Sequence, residues 1–155
     1  DEVEATMSVN VYGPLALMKT YMPGMVSRGW GRVININSLW GFSTAPKRLS
    51  YALSKHALRA LTATAALEVA SSGVTVNEIC PAAIDTAMLR SMANVAVDEG
   101  RFDSVDDYMD DCTAAIPSRR LIDPSSVASA ALFLASDGAR DVQGQSIRVS
   151  GGIDL

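Results

Sequence analysis

Cysteine and histidine are nearly absent from this chain. Cys80 and Cys112 are the only two cysteines, they form no C-x-x-C pair, and His56 is the single histidine. That is too few thiols for a disulfide framework and too few soft ligands for a zinc site, so no metal is expected. A serine hydrolase is disfavoured as well. There is no G-x-S-x-G elbow, and His56 sits beside Lys55 within one segment rather than on a separate loop. No N-x-S/T sequon occurs, and the opening "DEVEATMSVN" carries three acids without the basic flank of a secretory signal. No apolar run approaches the roughly 18 uncharged residues of a membrane span. Cationic excess is lacking too: 13 Lys and Arg stand against 17 Asp and Glu, for a net charge of -4. That balance argues against binding the phosphate backbone of a nucleic acid. A reducing, cytoplasmic setting with neither membrane nor nucleic acid as partner is the expectation.

What is present suits a folded α/β protein. At 155 residues, 48% apolar and 19% charged, the chain is long enough to bury a core and too apolar to stay disordered. Val3, Met7, Val11, Leu15 and Met18 recur at helical spacing and predict a helix over 3–28, which Pro14 and Pro23 should bend or break. "RVININS" (32–38) and "VTVNEIC" (74–80) are short and rich in β-branched residues, as strands are. Between them, 50–72 reads as a helix with Ser50 as N-cap, Leu53, Ala57, Leu61 and Ala65 along one side, and Gly73 as its stop. Residues 84–120 form an acidic segment of one or two helices, in which the acids at 103, 106, 107, 110 and 111 suit one wet face. A helix over 123–136, capped by Asp123, and a strand over 144–152 close the chain. Strands alternating with helices imply a parallel sheet of about three strands with helices on both faces, its first strand left with an unpaired edge.

Tyr51 and Lys55 stand four apart, so on a helix they share a face and can meet the same small molecule. A free tyrosine titrates at about 10 and is a poor base at neutral pH, but a nearby ammonium favours the phenolate. Alone, Y-x-x-x-K is a weak signal. Ser38 closes the preceding strand, and the carboxyl end of a strand is where α/β sheets bind ligands.

Three stretches carry a resemblance that covers almost the whole chain, in order. They are "NVYGPLALMKTYMPGMVSRGWGRVININSLWG", "YALSKHALRALTATAALEVASSGVTVNEICPAAIDTAM" and "LIDPSSVASAALFLASDGARDVQGQSIRVSGG". The chain resembles the C-terminal, catalytic part of a short-chain dehydrogenase/reductase, a Rossmann-type, doubly wound α/β fold. The resemblance implies hydride transfer between NAD or NADP and an alcohol/ketone pair. It also implies Tyr51 as the acid/base and Ser38 as the residue that holds and polarises the substrate oxygen. Lys55 then lowers the tyrosine pKa and binds the nicotinamide ribose, and Asn10 positions a water that relays protons through the lysine. Pro81, Ile84 and Thr86 match the loop that meets the nicotinamide carboxamide. Ala82 stands where the family has glycine, and its methyl group narrows the backbone conformations open there. By the same resemblance 86–120 is the substrate lid, Trp40, Met88 and Leu89 line an apolar pocket, and helices 3–28 and 50–72 build a homodimer or homotetramer.

The family's T-G-x-x-x-G-x-G turn, which seats the pyrophosphate at a helix N-terminus, occurs nowhere in these residues. Residues 1–155 therefore read as one incomplete Rossmann-type domain, either a truncated form, which is favoured, or a natural short form. Weak or no dinucleotide binding by these residues alone is the expectation. The alternative reading is a non-catalytic form that dimerises through its long helices without cofactor.

Overall fold

The computed structural model describes residues 1–153. Three parallel strands, β1 (Gly31–Ile36), β2 (Val74–Pro81) and β3 (Ser146–Val149), lie side by side in that order. Gly31 pairs with Val74 through Ile36 with Ile79, and Glu78 pairs with Ser146 through Pro81 with Val149. Among the described residues six α-helices accompany them: α1 (Glu2–Met7), α2 (Gly13–Ser27), α3 (Leu49–Glu68), α4 (Ala87–Asp98), α5 (Val105–Ala114) and α6 (Pro124–Ala135). Helices cover both faces, as the sequence implies, and 84–120 resolves into two of them.

The central strand β2 organises the core, and every one of its residues is buried. Successive side chains point to opposite faces. Val74 and Val76 therefore pack against Met18 and Met22 of α2 and Ala65 and Ala66 of α3. Ile79 faces the other way, onto Leu134 of α6 and Ala139. Burying one such aliphatic side chain contributes about 1.5–3 kcal/mol. The polar members of the strand are satisfied across it. Asn77 Nδ2 donates to the Val142 carbonyl (2.8 Å), and its Oδ1 accepts from the Gln145 amide (2.8 Å). Gly73, at φ +79°, lets the turn into β2 pass against the Gly29 backbone, where a Cβ would collide with the Gly29 carbonyl. A separate apolar cluster joins α4 to α5 through Ala93, Ala96, Tyr108 and Met109.

Several boundaries differ from the sequence reading. The predicted helix 3–28 continues past Pro14, but through a π turn at Ser8–Tyr12 rather than a break. Proline has no N–H to give the Asn10 carbonyl four residues earlier, and one widened turn absorbs the mismatch. Pro23 stays inside α2. Ser50 does not cap α3: the helix opens at Leu49 with no side-chain cap, and Ser50 Oγ instead donates to Glu2 Oε1 of α1 at 2.5 Å. The buried side of α3 is Lys55, Leu58, Thr62, Ala65 and Ala66, one position round from the predicted stripe. The last strand is only Ser146–Val149, because Gly151 and Gly152 both take positive φ and turn the chain away. Among the described residues nothing pairs with the outer edge of β1. A groove runs along that edge between Pro14, Leu17, Met18 and Tyr21 of α2 and residues 32–36 of the strand.

Candidate active site

Parallel strands bring the carboxyl ends of β1 and β2 to one edge of the sheet, and the Asn37 amide extends the pairing by donating to the Ile79 carbonyl (2.8 Å). Ser38 follows immediately. It is buried and extended, and its Oγ accepts from the Trp40 amide (3.2 Å) to open the short 3-10 turn Leu39–Gly41. Capping uses one lone pair and leaves the hydroxyl proton to spend.

Tyr51 stands in the first turn of α3, half-buried, with its hydroxyl in no hydrogen bond among the described residues. Lys55 is one turn on and only 8% exposed, which is unusual for a lysine. Its ammonium donates to the Ile36 carbonyl (3.1 Å) and lies 5.6 Å from the centroid of the Tyr51 ring. An ammonium has three protons to donate, and this contact uses one of them. Burial pulls the Lys55 pKa below the ordinary lysine range, against the opposing charges of Cys80 and Glu78. The same burial, with Glu78 alongside, pushes the Cys80 thiol up to about 12, so Cys80 is neutral packing rather than a nucleophile.

Asn10 lies in the π turn, and its Nδ2 donates to Ser54 Oγ (3.0 Å), whose hydroxyl donates to the Tyr51 carbonyl (2.8 Å). The long first helix is thereby pinned to the turn of α3 that carries Tyr51 and Lys55. Ser54 was not singled out by the sequence. Its one sequence signal is its place between Tyr51 and Lys55, and in the structure it is fully buried.

Pro81 ends β2, and the chain then leaves the sheet edge. Ile84 makes an isolated parallel bridge with Ile122. Ala82 keeps the strand geometry one step further, its amide donating to the Val149 carbonyl (3.1 Å). Thr86 is exposed and caps α4 by accepting from the Leu89 amide (3.3 Å), which leaves its hydroxyl proton free to reach a ligand. The structure thus gathers Asn10, Ser38, Tyr51 and Lys55 around the ends of β1 and α3, with the Pro81–Thr86 loop leaving the same sheet edge.

The segment that follows this loop is not as apolar as the sequence suggests. Met88 is 73% exposed, while Leu89 joins the cluster between α4 and α5. Trp40 lies 5.9 Å from the Arg48 guanidinium. A cavity under α4 and α5 is lined by Arg48, Ser91, Met92, Val95, Arg101 and Tyr108. The acids at 103, 106, 107, 110 and 111 all face solvent, as read from the sequence. His56 is exposed on α3, with Nδ1 against the Ala52 carbonyl (2.9 Å).

Known proteins similar to this chain in sequence and fold include several named as oxidoreductases. A family model described as enoyl-(acyl carrier protein) reductase matches residues 1–154. D-beta-hydroxybutyrate dehydrogenase of Rhizobium meliloti is 33% identical over 98% of this chain and 59% of its own length. A solved actinorhodin polyketide ketoreductase with NADPH superposes at a TM-score of 0.87 and 34% identity, over 93% of this chain and 56% of that one. Sorbitol-6-phosphate 2-dehydrogenase of Erwinia amylovora superposes at 0.92 and 26% identity, over 99% and 60%. The chain spans somewhat over half the length of these relatives. It belongs to the short-chain dehydrogenase/reductase family.

Proposed function

We propose that this chain carries the catalytic site of an NAD(P)-dependent oxidoreductase that interconverts an alcohol and a ketone. The observation that carries the reading is Lys55: an ammonium buried behind the ring of Tyr51 with two of its three protons unspent, at the carboxyl edge of a parallel sheet. A buried, under-satisfied donor of this kind fits the ribose hydroxyls of a nicotinamide nucleotide. Lys55 would hold that ribose, and the Thr86 hydroxyl with the backbone at Pro81 and Ile84 would hold the carboxamide. When bound, the nicotinamide supplies or accepts the hydride.

The chain's own residues do the rest. The Ser38 hydroxyl donates to the substrate oxygen and fixes it beside Tyr51. In reduction the Tyr51 O–H passes its proton to that oxygen as the carbon takes hydride; in oxidation the phenolate takes the proton back. Lys55 sets its ammonium 5.6 Å from the centroid of the Tyr51 ring, on the same face of α3. Asn10, through Ser54, holds the helix turn in register, and it would position a water that relays protons through Lys55. Residues 86–120 would close over the substrate, with Arg48 and Tyr108 lining the open cavity beside α4 and α5.

Exposed apolar side chains suit self-association. Leu49, Leu53 and Leu67 on α3 are 72%, 45% and 80% exposed, and Val9 and Tyr12 stand out from the π turn. Apolar side chains gathered on paired helices mark a protein interface, so a homodimer or homotetramer through α1–α2 and α3 belongs to this reading. Two free thiols suit a cytoplasmic compartment.

The test is label transfer. The full-length gene product is incubated with NADH or NADPH deuterated at the reactive carbon and a panel of ketones. Deuterium on the carbinol carbon of the product alcohol is expected. Absence of label with both cofactors across the panel refutes the oxidoreductase reading.

A further inference from the structure

Behind Lys55 the core contains a carboxylate that the chemistry above does not use. Glu78 is 1% exposed on the central strand, one of the most thoroughly buried side chains of the molecule. A charge so placed needs partners, and it has three. Oε2 accepts from Asn37 Nδ2 (2.7 Å), and Oε1 accepts from Ser146 Oγ (2.6 Å) and from the Cys80 thiol (3.6 Å). All are donors, the arrangement an acceptor-only carboxylate takes. The same Asn37 Nδ2 also donates to the main-chain carbonyl of Lys55 (3.2 Å). One amide therefore ties the residue next to Ser38 to the helix turn that carries Lys55, and Glu78 holds that amide.

Two details show that this bridge is built. Asn37 Oδ1 is buried without a partner, yet the opposite amide orientation would set that oxygen against the Glu78 carboxylate. Glu78 thus dictates which way Asn37 points. Gly41 passes close by: a Cβ there would meet Asn37 Nδ2 at 3.0 Å and the Lys55 carbonyl at 3.1 Å, so any larger residue would press on the bridge.

We propose that Glu78 is a positioning residue for the catalytic site, holding Asn37 as a strut between Ser38 and Lys55 and supplying the buried negative charge that keeps the Lys55 side chain an ammonium. The charged and titratable groups around it are few. Lys55 and Arg59 come from α3, Cys80 from β2 and Arg148 from β3, with the Phe42 ring 4.0 Å from the Arg59 guanidinium and 4.3 Å from that of Arg148. The opposing charges that favour the protonated form of Lys55 are those of Cys80 and Glu78, and burial keeps Cys80 neutral through the working pH range. Glu78 is then the operative anion.

The inference rests on placing Ser38 and Lys55 in the active site, but its test needs no turnover, so the two can fail separately. Lysine residues are labelled with 13C at the ε carbon, and the Lys55 signal is assigned by its loss in Lys55→Arg. Glu78→Gln keeps the shape and an acceptor for Asn37 while removing the charge, and should move the Lys55 titration midpoint down. Ser146→Ala removes one donor and keeps the charge, and should leave the midpoint in place. An unchanged midpoint in Glu78→Gln, or an equal shift in both variants, overturns the proposal. Asn37→Ser tests the strut independently and serves if Glu78→Gln does not fold. A held lysine shows two distinct ε-proton shifts, which should merge in that variant. Two shifts that stay distinct there refute the strut.

Discussion

Raising the pH should cost this protein stability through one thiol, by an amount that follows from the core. Cys80 is completely buried, and burial with Glu78 beside it pushes its pKa from 9.0 up to about 12, while Arg148 and Arg59 pull weakly the other way. In the unfolded chain the thiol ionises near its ordinary value. As pH rises past 9 the unfolded state sheds a proton that the folded state keeps, so the unfolded state binds fewer protons and stability falls. The contribution is intact below the ordinary value and is lost over the window between the ordinary and the raised value. From about pH 8 to about pH 10 the loss is about 1.4 kcal/mol, equivalent to about 3–5 °C in Tm for a chain of this size. The assay is urea unfolding of wild type and Cys80→Ala at several pH values. The variant carries a constant packing deficit but lacks the titration, so the wild-type advantage should shrink by that amount. Two profiles that stay parallel across the window refute the burial argument.

Lys55 has the opposite sign. Its folded pKa lies below the ordinary 10.5, so between the two values the unfolded chain binds more protons and stability rises with pH; wild type should gain on Lys55→Met as pH climbs through that window, and a flat difference contradicts it. Gly41→Ala should cost about 1–3 kcal/mol, as overpacking does, because its methyl group meets the Asn37 amide and the Lys55 carbonyl; a melting temperature equal to wild type overturns that. Leu58→Ala, at a side chain only 2% exposed on α3, should cost about 2–5 kcal/mol in urea unfolding, and a loss well under 1 kcal/mol would contradict its place in the core.

Much of this architecture is visible in the residue order. Period-2 and period-3.6 patterns separate strands from helices, and the β-branched run at 74–80 marks the strand that the sheet is built around. The relation of Tyr51 to Lys55 is local, one helical turn, and survives intact in the structure. What could not be read locally depends on residues far apart in the chain. Asn10 reaches Ser54, and Glu78 reaches Asn37 and Ser146, only once the sheet has formed. Ser50 looks like a cap, yet α3 already opens at Leu49, so Ser50 lies inside the first turn and donates its hydroxyl to Glu2 of α1. The π turn escapes because apolar spacing runs straight through it, and only the missing N–H of Pro14 betrays it. A polar pair, Asn77 and Glu78, inside a β-branched run was the one sequence signal of the buried network, since a central strand has no wet face to put them on.

The most direct test of the catalytic assignment is Tyr51→Phe in the full-length gene product, with reduction of a ketone followed by nicotinamide absorbance. The phenol is the proton donor in this account and its ring only packs. The variant should therefore fold with a melting temperature near wild type and lose about 10²–10⁴-fold in kcat, the range general acid catalysis supplies. Turnover within a few-fold of wild type in a folded Tyr51→Phe protein would contradict the assignment.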